Sequence, residues 1–176
     1  DWTIAIPGKY TTAALLLRLY LPESRRLTVM RFDQILNAVM KGEVDAGVII
    51  YESRFTYRDL GLHCIQDLGE WWEQTTGLPI PLGCIAARKT LPAAVRDEFD
   101  LAIAASLQWA DTHPDEGWDY ICGHAQEMDP QVMRSHISLY VNAFSRGLGE
   151  EGGQAVRELL RRGAAVGLFA AGPVGA

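Results

Sequence analysis

Three short apolar runs, at residues 3–6, 27–31 and 45–50, alternate with two stretches that carry helix start and stop signals. This alternation limits the fold more than any other feature of the chain. Strand, helix, strand, helix, strand in that order is the pattern of a mainly parallel sheet with crossover helices. Pro7-Gly8 ends the first run, and Thr11 or Thr12 is placed to cap a helix over 13–20. Asp33 can cap a second helix over 34–40, closed by Lys41-Gly42. The run 45–50 is almost wholly apolar, as expected of a strand buried on both faces. Further strands are expected at 62–68 and 81–87. Between them a short helix over 69–76 carries Trp71 and Trp72 and stops at Gly77. The two tryptophans read as one core and one partly buried side chain, or as a stacking platform.

After Leu91 only helices are expected: 92–112, about 115–125, one that follows Asp129-Pro130 and ends near 142–145, and 150–162. Helices need an apolar face to cover. The first half already has helices of its own, so the later set lacks a sheet to pack on. The predicted outcome is uncovered apolar surface on these helices, with self-association through it or a mobile C-terminal half.

The chain has 176 residues and a net charge of −6 with 16 Lys and Arg, so no broad basic surface for nucleic acid is expected. No apolar run reaches the length of a membrane-spanning helix. The first residue is Asp1 and a strand follows at once, which reads as the interior of a longer protein or a processed piece of one. Cys64, Cys84 and Cys122 form neither a CxxC pair nor a metal-ligand pattern with the four histidines, and a reducing cytoplasm is the simplest setting. Cys64 and Cys84 lie in strand-like runs and are expected in the core.

Chemistry concentrates at two strand exits. In an α/β fold ligands sit at the carboxyl ends of strands. Tyr51, Glu52, Ser53, Arg54 and Thr56 crowd the exit of the third run. They read as a ligand rim or as a capped strand end with a solvated Glu–Arg pair. The loop over 7–13 places Lys9, the hydroxyls of Thr11 and Thr12 and unpaired N–H groups at a helix start. That suits a carboxylate or phosphate, and it also suits ordinary capping. Two such loops on one rim favour a cleft. His63, His113, His124 and His136 lie outside both loops and read as structural or exposed.

Six segments carry a family resemblance: Ile6-Pro-Gly-Lys-Tyr-Thr-Thr-Ala13, Gly42-Glu-Val-Asp-Ala-Gly-Val-Ile-Ile50, Glu52-Ser-Arg-Phe-Thr-Tyr57, Asp67-Leu-Gly-Glu-Trp-Trp-Glu73, Thr76-Gly-Leu-Pro-Ile-Pro-Leu-Gly83 and Tyr140-Val-Asn-Ala-Phe-Ser145. In this order they closely resemble the 1,4-dihydroxy-6-naphthoate synthases, the lyases of the futalosine route to menaquinone. The resemblance implies an α/β, periplasmic-binding-protein-like (type II) fold of two lobes with substrate between them. Residues 1–83 would form one complete α/β lobe. Residues 84–163 would supply a crossover strand and helices of an incomplete second lobe, and 164–176 a loose tail. The family's opening lobe would have no counterpart here.

The implied reaction converts cyclic de-hypoxanthine futalosine to 1,4-dihydroxy-6-naphthoate, with no metal or organic cofactor. The implied partner is that small molecule alone, without nucleic acid or membrane. Thr12 and Ala13 match a segment that contacts substrate. Thr11, Glu52 and Arg54 join them as candidate substrate-binding residues. Tyr51 stands where the family has its proposed histidine base. A tyrosine hydroxyl ordinarily titrates near 10 and imidazole near 6.5, so turnover by this chain is expected to be impaired. The alternative is a carboxylate-binding lobe without catalysis, or a truncated homologue without activity.

Overall fold

The computed structural model describes residues 2–24, 26–50, 53–125 and 129–169. Its central strand is β1 (Thr3–Ile6), flanked by β2 (Arg26–Val29) and β3 (Ala46–Gly47) in the order β2-β1-β3, both parallel to β1. Side chains alternate across a strand. Ile4 and Ile6 therefore pack with Ala14 and Leu17 of α1 (Thr12–Tyr20) on one face. Ala5 packs with Ile35 and Ala38 of α2 (Phe32–Met40), and with Val44, on the other. The result is a mixed α/β arrangement with a small parallel sheet and helices on both faces.

The third strand is shorter and less buried than its composition suggests. It was expected over 45–50, buried on both faces; only Ala46 and Gly47 join the ladder, and residues 46–50 are half-buried. The reason is position: β3 is an edge strand, and the doubly covered place belongs to β1, where Ile4, Ala5 and Ile6 are 5%, 0% and 1% exposed. Gly47 is required there. A Cβ at that position would lie 2.2 Å from Cγ2 of Ile35, so α2 approaches β3 only because residue 47 has no side chain.

The strands expected at 62–68 and 81–87 are absent. Both stretches are irregular up to the start of α4 (Leu68–Thr76) and of α5 (Ala93–Thr112), and neither pairs with the sheet. His63 therefore lies in an exposed loop rather than in a strand. Cys64 and Cys84 are likewise exposed rather than in the core. Apolar, β-prone composition does not make a strand without a ladder partner.

A one-turn helix, α3 (Ser53–Thr56), precedes α4. The latter starts at Asp67, whose side chain caps it, and stops at Gly77, held at φ 67° in the left-handed region. Trp72 is fully buried against Leu16 and Leu159, and its Nε1 donates to the Pro79 carbonyl at 3.1 Å. Trp71 is half-buried and meets the Tyr20 ring edge-on. The first of the two readings of this pair therefore holds. In α2 the residue before the helix is Arg31; Asp33 sits in the first turn and accepts from Arg31 Nε at 2.8 Å instead of capping.

The chain divides into two units. Among the described residues the first comprises 2–82 with 148–169, and the second 83–147. The second holds α5, α6 (Trp118–His124), α7 (Pro130–Tyr140) and α8 (Ala143–Arg146). The last helix, α9 (Gly149–Ala165), belongs with the sheet because Leu159 packs on Trp72, whereas the sequence groups it with the later helices. Among the described residues no helix is long and apolar enough to cross a membrane.

Candidate functional site

Parallel pairing decides which loops meet. Beyond the strand ends, Val48 N donates to Ala5 O at 2.8 Å and Met30 N to Ile6 O at 3.1 Å. All three strands therefore leave the sheet at one edge, and the loop over 7–11 and residues 48–50 start from that rim. This is the placement expected of a ligand site in a parallel sheet.

At the start of α1 the two threonines have different tasks. Thr11 is the N-cap: its Oγ1 accepts from Ala14 N at 3.2 Å and donates to Gly8 O at 2.9 Å. Thr12 donates its hydroxyl proton to Leu82 O at 2.8 Å, seventy residues away in sequence. A hydroxyl has one proton to give. Neither hydroxyl proton is therefore left for a carboxylate, which only accepts. The donors that remain are the N–H groups of Thr12 and Ala13, in the first helical turn, where no intrahelical acceptor exists. Lys9 and Tyr10 stand out from this loop, with the ammonium 5.3 Å from the ring centroid and Tyr10 92% exposed.

On the neighbouring exit, Arg54 Nη2 donates to Asp67 Oδ2 at 2.7 Å, and its guanidinium lies 5.9 Å from the Phe55 ring centroid. Arg54 thus has Asp67 as a partner, while the Glu–Arg pair read from the sequence involves Glu52. Tyr51 and Glu52 lie outside the described residues. Among the described residues no group of three or more His, Cys, Asp or Glu is placed to hold a metal ion.

With the rim in place, the comparisons with known proteins bear on it. A family model described as menaquinone biosynthesis matches residues 1–165. The chain belongs to the menaquinone biosynthesis family. Within that family it is 48% identical over 174 residues to the 1,4-dihydroxy-6-naphthoate synthase of Streptomyces coelicolor, covering 96% of this chain and 62% of that protein. It is also 48% identical over 170 residues to the synthase of the same name from Thermus thermophilus, covering 97% and 62%. A crystal structure of an Archaeoglobus fulgidus protein superposes with a TM-score of 0.90 at 38% identity, over 96% of this chain and 63% of that one. The chain thus spans less than two thirds of the length of these relatives.

Two family-segment residues with structural tasks escaped the sequence reading. Asp67 was not recognised as a partner of Arg54, although Asp67 followed three residues later by Glu70 is a helix-start pattern visible in the sequence. The carbonyl of Leu82 as partner of Thr12 left no local signal, because the two residues meet only through the fold.

Proposed function

We propose that this chain is part of a lyase of the 1,4-dihydroxy-6-naphthoate synthase type, converting cyclic de-hypoxanthine futalosine to 1,4-dihydroxy-6-naphthoate in the cytoplasm. The observation that carries this reading is the 48% identity to two synthases of that name across nearly the whole chain. A periplasmic-binding-protein-like fold, with residues 1–83 as one of its lobes, is part of the proposal. The shared rim of two parallel strand exits supports it.

In this reading a substrate carboxylate is received by the Thr12 and Ala13 N–H groups at the positive end of α1. Arg54 and Glu52, from the segment that follows β3 in the sequence, are its further candidate contacts. Tyr51 stands in the position of the base. At neutral pH a phenol is almost wholly protonated, so proton removal by it is slow. This tyrosine favours a second reading, a carboxylate-binding lobe without turnover.

The test is a titration with 1,4-dihydroxy-6-naphthoate together with an assay of its release from cyclic de-hypoxanthine futalosine, on the parent and on Tyr51→His. Saturable binding by both, with faster product release by the histidine variant, is the expected result. Saturable binding with no turnover by either supports the second reading. Absence of binding and of turnover in both removes the proposal.

A further inference from the structure

The carboxylate of Asp67 serves two elements at once. Oδ1 accepts from Gly69 N at 2.9 Å and Glu70 N at 3.1 Å, which caps α4. Oδ2 accepts from Arg54 Nη2 at 2.7 Å, which holds α3. The two elements differ in how firmly they are held. Buried Trp72, with its hydrogen bond to Pro79, anchors α4 in the first unit's core. By contrast α3 is a single turn with no buried residue, and a lone turn does not sustain itself. Arg54 and Asp67 are both 38% exposed, so their ion pair contributes little to global stability. Its consequence is local: it ties the guanidinium of Arg54, in the one-turn helix that follows β3 in the chain, to the capped end of a firmly held helix.

We propose that Asp67 is a positioning residue for the rim: it orients Arg54 and holds α3 in place, and ligand affinity depends on that hold. The inference rests on the reading of this rim as the substrate edge. Two substitutions separate the tasks of Asp67. Asn is as good an N-cap as Asp, but it has no second carboxylate oxygen for the guanidinium, and its amide would face the arginine donor to donor. Glu keeps a carboxylate for Arg54 and is a poor cap.

The experiment measures three quantities on the parent, Asp67→Asn and Asp67→Glu: amide hydrogen exchange, affinity for 1,4-dihydroxy-6-naphthoate and thermal midpoint. For Asp67→Asn the expected result is exchange about 10-fold faster at Tyr57, whose N–H donates to Ser53 O at 3.2 Å to close the turn of α3, unchanged exchange in α4, a several-fold weaker affinity and a midpoint near the parent's. In Asp67→Glu the expected result is a lower midpoint with more of the parent's affinity retained. An Asp67→Asn protein with the parent's exchange at Tyr57 overturns the proposal, and so does one with faster exchange and full affinity. If the parent itself does not bind 1,4-dihydroxy-6-naphthoate, the functional reading fails. The exchange comparison then decides separately whether Asp67 positions Arg54: unchanged rates overturn that, and faster rates uphold it.

Discussion

Trp72 and Trp109 are the same residue in two different kinds of unit. Trp72, in the sheet unit, is fully buried, and the unit around it buries side chains from β1, α1, α2, α4 and α9. Trp109, in the helical unit, is 47% exposed and stacks on the His113 ring of its own helix. Among the described residues Met133 is the one apolar side chain that the helical unit buries. Its long helix α5 buries none, and Val95, Phe99 and Leu101 are exposed along it. The sheet unit is held by burial. The helices of 83–147 rely on local devices, the Asp129 cap, Pro130 in the first turn, the Asn142–Ser145 capping box and an aromatic–histidine stack on α6, and on exposed ties between helices, Arg146 to Asp111 and Arg134 over the Trp118 ring at 4.1 Å. The uncovered apolar surface expected from the sequence is therefore present on α5.

The largest expected effect comes from the two tryptophans. Trp72→Ala should destabilise the sheet unit by about 3–5 kcal/mol, the usual cost of emptying a large buried aromatic site. Trp109→Ala should cost below about 1 kcal/mol, since exposed side chains carry little folding energy. Urea unfolding of both variants makes the comparison. Equal losses would mean that the two units do not differ in the way their burial indicates.

Next in size is Gly47→Ala. The added methyl meets Ile35 at the contact between β3 and α2, and overpacking of this kind typically costs about 1–3 kcal/mol. A circular-dichroism melt at or above the parent midpoint would show that α2 can withdraw freely from the sheet.

How much of this was legible follows the same division. The elements of the sheet unit that announce themselves locally were readable: β1, the Thr11 cap of α1 and the Gly77 stop of α4. So was α5, expected over 92–112 and found one residue shorter. What could not be read depends on partners distant in sequence. Residues 62–68 and 81–87 have strand composition, but composition is silent about whether a ladder partner exists. The edge position of β3 and the return of α9 to the sheet are likewise properties of the whole fold. At the site, the rim position of the 7–11 loop followed from strand order, whereas the destination of the Thr12 hydroxyl did not.

Two substitutions of about equal size probe local devices in each unit. Asp129→Ala removes a cap that accepts from Gln131 N at 2.8 Å and Val132 N at 3.0 Å, and should cost about 1 kcal/mol. Thr12→Val removes the tie to Leu82 and should also cost about 1 kcal/mol. If burial dominates one unit and local devices the other, hydrogen exchange should rise within α7 for the first variant. It should rise at residues 78–82 for the second. Exchange that rises uniformly over the chain in either case would contradict that separation.

The smallest expected effect is also the one with a defined pH window. Glu158 on α9 accepts from Arg161 Nε and Nη2 and from Arg162 Nε, each at 2.7 Å. The hydrogen bonds from Arg161 and then Arg162 hold its carboxyl down from an ordinary 4.5 to about 2. An acid whose pKa is lower in the folded state stabilises that state when ionised. The contribution is thus fully present above about pH 4.5, falls as pH drops toward 2, and is gone below that. Because Arg161 is mostly exposed, its size should be no more than about 0.5–1 kcal/mol. The consequence nonetheless reaches the core of the sheet unit, since Arg162, the second arginine on this carboxylate, lies over the Trp72 ring at 5.3 Å. Glu158→Gln should therefore unfold at lower urea than the parent at pH 7, and the gap between the two should narrow steadily from pH 4.5 to pH 3. A gap of constant width across that range would show that the arginines gain nothing from the ionised carboxylate, and that its charge adds nothing to the hold of α9 on Trp72.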